Sequence, residues 1–241
     1  MKTERIHWID SLKGFAILSM ILYHFTFNLN LLNIYPIDIY SGLWVILARF
    51  IQFTFLTAVG ISIYISYAKY QDYSKFLKRQ FRRSAILLGI AMGITLVTFF
   101  VYPQGYIKFG VLHLISIASI LGALLIRYNF LMIFLIFISL ILGNIFSQIT
   151  LNTPMLMPLG IMYQNFYSLD YFPIFPWISL IFTGIVLARL MENLKLLKNF
   201  NFLPRFKWLE GAGKRSLIIY LVHQPILLGL IWLLSKTNVL K

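Results

Sequence analysis

The amino-acid sequence predicts an all-α, polytopic membrane helix bundle: one domain, residues 1–241, with about seven transmembrane helices. Of the 241 residues, 60% are hydrophobic and only 12% are charged. Several apolar stretches reach the ~20 residues that a helix needs to cross a bilayer. In hydrocarbon the backbone must satisfy its own hydrogen bonds, and these stretches are too long for the strands of a membrane barrel. The composition therefore indicates a helical bundle without a separate soluble domain.

Seven stretches have the hydropathy of a membrane span. They cover residues 13–32, 42–67, 85–102, 108–126, 129–148, 172–190 and 215–235. The first follows basic residues, as the apolar core of a signal peptide does. It is longer than the about 7–15 residues of such a core, however, and lacks a small-residue cleavage site. We therefore expect it to be retained as the first helix.

The basic residues are grouped on one side of these spans. Lys2, Arg5 and Lys13 precede or begin the first span, and most of the 21 Lys and Arg lie in alternate connections after it. The opposite connections contain only Lys108. By the positive-inside rule, we expect a multi-pass protein of the cell membrane with a cytoplasmic N-terminus and an extracytoplasmic C-terminus. The net charge of +14 thus reflects the basic residues on the cytoplasmic side of the spans, and no nucleic-acid partner is expected.

The connection at residues 149–171 is the longest one without basic residues. It contains two prolines, a glycine and three tyrosines, and Asp170 lies near its end. We interpret it as a candidate rim for an outward-facing substrate, with Asp170 as a candidate substrate contact. The alternative is an aromatic belt at the membrane interface, which needs no function.

Four polar side chains, three histidines and an arginine, lie within the predicted spans away from their first and last residues: His24, Arg49, His113 and His223. Such groups are costly in a membrane and are functional hypotheses by default. Any one of the histidines could serve helix packing through a hydrogen bond to a neighbour. Three of them together with an arginine favour a shared polar interior. No two histidines are at i+3 or i+4 spacing and no intramembrane carboxylate accompanies them, so no metal site is expected.

The helical periodicity places His24 on the same face of the first helix as a cation, Lys13. His24 is 11 residues from Lys13, which at ~100° per residue brings both onto one helical face about 16 Å apart. Asn28 lies one turn further along that face. In the second span Gln52 follows Arg49 by three residues. A buried guanidinium needs acceptors or an anion, although snorkelling to the interface is the alternative.

The stretch "GAGKRS", residues 211–216, places glycines and the cations Lys214 and Arg215 at the predicted start of the last helix. Exposed backbone N–H groups and the positive helix end suit an anion such as phosphate. The spacing is not that of a Walker motif. The alternative interpretation is ordinary positive-inside flanking. There is no cysteine, so disulfides and thiol catalysis are excluded.

Four stretches together resemble a known family: "RIHWIDSLKGFAILSMILYHF", "GVLHLISIASIL", "YFPIFPWISLIFTGIVLA" and "GKRSLIIYLVHQPILL". The first is similar to the first helix of the transmembrane acyltransferases, which include the polysaccharide O-acyltransferases. Lys13 stands where that group has an arginine, with ten residues between it and the histidine, here His24. The others resemble blocks of small prokaryotic relatives of the heparan-alpha-glucosaminide N-acetyltransferase catalytic domain. The resemblance covers most of the chain.

This resemblance implies transfer of an acyl group from cytoplasmic acyl-coenzyme A, chiefly acetyl-coenzyme A, to a hydroxyl or amine on the far side. The acceptor would be a carbohydrate or glycolipid. His24 would act as general base or form a transient acyl-histidine, and His113 and Arg49 would orient the acceptor or stabilise the oxyanion. The remaining site residues divide between the two substrates. Lys13, Lys214, Arg215, Ser216 and His223 would bind coenzyme A, and Asn28, Gln52 and Asp170 would bind the acceptor.

A transporter or channel is the competing function, with the intramembrane histidines relaying protons or lining a path. Seven spans without an internal repeat and without an intramembrane carboxylate disfavour it. Membrane lipids surround the bundle, and an exposed apolar helix face is compatible with a homodimer.

Overall fold

A computed structural model of the chain describes residues 6–199 and 206–236, and helices dominate it. The helices in chain order are α1 (His7–Leu31), α2 (Gly42–Ala68), α3 (Tyr73–Val101), α4 (Val111–Leu125), α5 (Asn129–Phe146), α6 (Ile174–Asn193), α7 (Leu196–Asn199), α8 (Lys207–Lys214) and α9 (Ser216–Lys236). Between α5 and α6 lie two short parallel strands, β1 (Thr150–Leu151) and β2 (Met162–Tyr163), on either side of a 3-10 helix (Pro154–Leu159).

The all-α, multi-pass prediction is confirmed. Within the described residues, six helices are long and apolar enough to cross a membrane: α1, α2, α3, α5, α6 and α9. The fourth predicted span is also a helix, but α4 has only 15 residues, or about 22 Å at 1.5 Å per residue. It is shorter than predicted because Lys108 and Gly110 belong to the connection before it. Lys2 and Arg5 lie outside the described residues, and the orientation in the membrane stays a prediction.

The chain divides into two compact units, and the division falls within α2. One, the terminal unit, comprises residues 1–58 and 196–241, and the other, the central unit, comprises residues 59–195.

In the terminal unit, α1 packs against α8 and α9. The contact with α8 depends on two glycines without side chains. A Cβ added to Gly14 would collide with the backbone carbonyl of Leu209, and one added to Gly213 would collide with the backbone carbonyl of Asp10. Further along α1, an apolar cluster of Ile17, Met20 and Ile51 continues the packing. The glycines thus let two helix backbones approach until they touch.

In the central unit, α4 packs against α3 and α6, and α5 packs against α6. The start of α3 is determined by Asp72, whose carboxylate accepts hydrogen bonds from the backbone N–H groups of Ser74 (2.8 Å) and Lys75 (3.4 Å). Such a cap satisfies N–H groups that the first turn of a helix leaves without partners. Ser139 of α5 donates to the carbonyl oxygen of Pro176 in α6 at 3.2 Å.

Two connections of the central unit are joined by backbone hydrogen bonds. The N–H of Leu169 donates to the oxygen of Gly105, and the N–H of Phe172 donates to the oxygen of Phe109, each at 2.9 Å. The sequence assigned both connections to the same side of the spans, and they are indeed in contact. At the opposite ends of α3 and α4, the Arg127 guanidinium lies 3.8 Å from the ring centre of Tyr73.

The glycine contact predicts that Gly→Ala substitutions at two nearby positions of α8 have different effects on stability. Gly213→Ala should destabilise the protein by about 1–3 kcal/mol, because its Cβ meets the backbone of α1. Gly211→Ala is the matched control, since nothing lies within 4 Å of its Cβ position. Because alanine is the better helix former by ~0.5–1 kcal/mol, this control should be neutral or stabilising. Thermal unfolding in detergent measures both, and equal effects would contradict the packing role of Gly213.

Candidate functional site

A chain of three polar side chains joins α1 to α9 in the terminal unit. The Asn28 side-chain N–H donates to Oε1 of Gln224 at 2.9 Å. Nε2 of Gln224 in turn donates to Nδ1 of His24, also at 2.9 Å. Asn28 is only 2% exposed, and both helices are apolar enough to span a membrane. The predicted shared polar face of α1 therefore has its partner on the last helix.

His223 lies beside this chain and completes a pair of histidines. Its ring centre is 5.0 Å from that of His24, and the residue is 6% exposed. Nδ1 lies 2.5 Å from the carbonyl oxygen of Tyr220. Because a carbonyl oxygen only accepts, Nδ1 carries the proton and donates the hydrogen bond. Nε2 is buried and has no hydrogen-bond partner among the described residues. The structure thus brings together three residues that the sequence assigned to different roles, His24, His223 and Asn28.

The "GAGKRS" stretch is arranged differently from the prediction. Its glycines lie inside α8, which ends at Lys214, and α9 begins only at Ser216. The glycine N–H groups are therefore not the exposed start of the last helix. Gly213 serves the backbone contact with α1 instead. Lys214 and Arg215 remain exposed at the break between the two helices.

Glu210 is an anion within this group of cations. Its carboxylate lies 2.9 Å from Nδ1 of His7 and 3.5 Å from Nζ of Lys214. The hydrogen bond from His7 is the main reason why the pKa of Glu210 lies below its ordinary value of 4.5, and Lys214 lowers that pKa further. This contact connects the first turn of α1 with α8.

Arg49 and Gln52 form a pair within one turn of α2. The guanidinium donates to Oε1 of Gln52 at 3.1 Å. Arg49 is exposed on the surface of the helix, whereas Gln52 is half-buried. The sequence anticipated a buried guanidinium that needs acceptors, and the side-chain amide supplies one of them at the surface.

His113 lies in the central unit and uses both of its ring nitrogens. Nδ1 accepts a hydrogen bond from the backbone N–H of Gly110 at 3.2 Å. Nε2 lies 3.5 Å from Oγ1 of Thr95, which itself donates to the oxygen of Ile107 at 2.7 Å. The ring also stacks on Phe109. These contacts are compatible with the alternative of a histidine that serves helix packing through hydrogen bonds to its neighbours.

Asp170 also has a structural contact. Its Oδ2 accepts a hydrogen bond from the backbone N–H of Val111 at 3.0 Å, at the start of α4. The carboxylate lies where a side chain at Gly110 would be. Asp170 therefore caps α4 from a distant part of the chain.

The aromatic residues of the 149–171 connection pack on one another. The Tyr171 hydroxyl donates to the oxygen of Met157 at 2.8 Å, and burial raises its pKa to about 12. The ring of Phe166 lies 4.6 Å from that of Tyr171. Lys108 donates to the oxygen of Tyr167 at 2.6 Å, and partial burial lowers its pKa. The connection is thus an ordered structure held by its own contacts.

Gln224 is the site residue that the sequence-based prediction missed. The predicted amides Asn28 and Gln52 lie one helical turn from an ionisable residue, whereas Gln224 directly follows His223 in the chain and does not share its helical face. Yet an uncharged amide within a span also needs hydrogen-bond partners. Its position between His223 and Pro225 is a further signal, because proline removes a backbone N–H from the helix and so leaves a carbonyl without its usual donor.

These observations define the class: a multi-pass membrane protein whose first and last spans share a buried polar site. The comparison with protein families then identifies the family. The model described as heparan-alpha-glucosaminide N-acetyltransferase, catalytic, matches residues 5–225. The chain belongs to this family, as the sequence resemblance predicted, and the match supports the membrane acyltransferase class. Comparisons with curated proteins and with solved structures give no match.

The pairing of Glu210 predicts a pH-dependent contribution to stability. Because its pKa is depressed on folding, this contribution is present above pH 4.5 and is lost as the pH falls through the folded-state pKa. The melting temperatures of the wild type and Glu210→Gln should therefore differ near pH 7 and converge below pH 4.5. A double-mutant cycle with His7→Gln isolates the pair. A coupling that persists unchanged in acid would contradict this assignment.

The capping role of Asp170 makes a separate prediction. Asp170→Ala should destabilise the protein by about 0.5–2 kcal/mol, because the start of α4 loses an acceptor. Asp170→Asn keeps a carbonyl oxygen and is the matched control, with a smaller loss in thermal unfolding. If Asp170→Ala melts like the wild type but no longer binds an acceptor, Asp170 is a substrate contact rather than a cap.

Proposed function

We propose that this protein transfers an acyl group, chiefly acetyl, from cytoplasmic acyl-coenzyme A to a hydroxyl or amine of a sugar-like acceptor across the membrane. The family match supports the acyltransferase class, and its description names a glucosaminide. The observation that carries the proposal is the contact between His24 and His223, with Gln224 and Asn28 beside them. Histidines held by hydrogen bonds are suited to proton transfer in acyl transfer.

The donor would bind along α1. Lys13 precedes Gly14, and Gly14 contacts Gly213, which is followed by Lys214. Two helices thus bring cations to one junction of the terminal unit, where they would meet the phosphates of coenzyme A. Lys13 and His24 share a face of α1 about 16 Å apart. The pantetheine arm would follow this face, so that the thioester reaches the histidine pair.

The acceptor would meet α2 of the same unit. Arg49 is exposed on the helix, and a guanidinium is a permanently charged group with several N–H donors, so it suits an oxygen that gains negative charge. His113 and Asp170 are left out of the proposed chemistry. Their polar atoms already serve the start of α4.

A thermal-shift titration with acetyl-coenzyme A tests the proposal. The wild type should be stabilised progressively, by about 2.7 kcal/mol at a hundredfold excess over Kd. A triple variant should respond much less, because it lacks the cations for the phosphates of coenzyme A. Its substitutions are Lys13→Ala, Lys214→Ala and Arg215→Ala.

Glu210→Gln is the control for this titration. It removes the Lys214–Glu210 ion pair but keeps all three cations, so its response to acetyl-coenzyme A should equal or exceed that of the wild type. No response of the wild type to acetyl-coenzyme A or butyryl-coenzyme A would refute the proposed donor.

A further inference from the structure

The two histidines of the site are held in opposite tautomers. His223 donates from Nδ1 to the carbonyl oxygen of Tyr220. A carbonyl only accepts, so the neutral ring has its lone pair on Nε2. That atom is buried and has no partner among the described residues. A buried polar atom without a partner costs about 1–3 kcal/mol and calls for an explanation.

His24 has the reverse arrangement. Its Nδ1 accepts from the side-chain amide of Gln224, so the proton of the neutral ring is on Nε2. The amide is itself oriented, because its oxygen accepts from Asn28. Asn28 and Gln224 are therefore positioning residues that present His24 Nε2–H as a donor.

We infer that His223 is the general base of the acyl transfer and that His24 donates a hydrogen bond to the thioester carbonyl. This inference rests on the proposed function. It moves the base from His24, where the sequence suggested it, to the neighbouring ring. It follows from the hydrogen-bond partner of each Nδ1, which the sequence does not reveal.

The step balances within these two side chains. Nε2 of His223 takes the proton of the acceptor hydroxyl or amine as its oxygen or nitrogen bonds to the acyl carbon. The carbonyl electron pair moves to oxygen, where Nε2–H of His24 stabilises it. When the carbonyl re-forms, the carbon–sulfur bond breaks. The coenzyme A thiolate then takes the proton from His223, which restores the free base.

Burial of the base has a consequence for side reactions. Nε2 of His223 exposes less than 1 Å², so water does not reach it in this state. The acceptor gains access only when the packing around the ring opens. Hydrolysis of the thioester should therefore be slow compared with transfer.

The same substitution at both positions tests the division of roles. A glutamine amide can donate a hydrogen bond from about the position of Nε2, but it is not a base. His24→Gln should therefore keep activity within about tenfold, whereas His24→Ala loses ~10²–10³-fold. His223→Gln should lose about 10²–10⁴-fold in kcat. Equal losses in the two glutamine variants, or a larger loss in His24→Gln, would overturn the inference.

The assay measures free thiol from acetyl-coenzyme A with glucosamine as acceptor. The chain has no cysteine, so a thiol reagent detects only released coenzyme A. Thermal unfolding of each variant confirms that it is folded. If the wild type neither binds acetyl-coenzyme A nor releases thiol, the proposed function itself fails.

A second measurement separates the two failures because it needs no acceptor. In ¹⁵N-histidine spectra of the wild type above pH 7, His223 should have its pyrrole-type nitrogen at Nδ1 and His24 at Nε2. The two glutamine variants assign the signals. Acetyl-coenzyme A binding together with the opposite tautomers would refute the inference and leave the proposed function standing.

Discussion

The close contact of two helix backbones underlies the terminal unit. At Gly14 and Gly213 no side chain separates α1 from α8. With no side chain between them, the two backbones lie in van der Waals contact, and many such close atom pairs together stabilise the packing. Because α9 begins three residues after Gly213, this contact also determines where the last span starts. Larger residues at these positions would push the last span away from the first.

The short distance between the first and the last span allows the polar site to form. Asn28 of α1 donates a hydrogen bond of 2.9 Å to Gln224 of α9. A displacement of about one ångström between the two helices would break it. Both amides would then be without partners in a nearly apolar environment, which is expensive. The apolar packing and the polar chain thus depend on each other. Neither the glycines nor the amides are explained by one helix alone.

The fold was largely predictable, because hydropathy and span length report directly on lipid-embedded helices. The shared face of Lys13, His24 and Asn28 followed from helical phase in the same way. Contacts between distant segments were not predictable. The phase of α1 does not reveal that Gln224 approaches His24, and nothing in "GAGKRS" distinguishes a packing glycine from an anion site. The contact of His113 with Thr95, 18 residues earlier in the chain, likewise forms only in the folded protein.

The hydrogen bond between His24 and Gln224 joins residues 200 positions apart in the chain. During synthesis the first span enters the membrane long before the last one exists. Until α9 is made, His24 and Asn28 lack the Gln224 side chain that both contact in the folded chain. The growing chain therefore has no complete site, and a prematurely terminated product that lacks α9 has none either. The order of synthesis thus makes the last helix the step that completes the polar site.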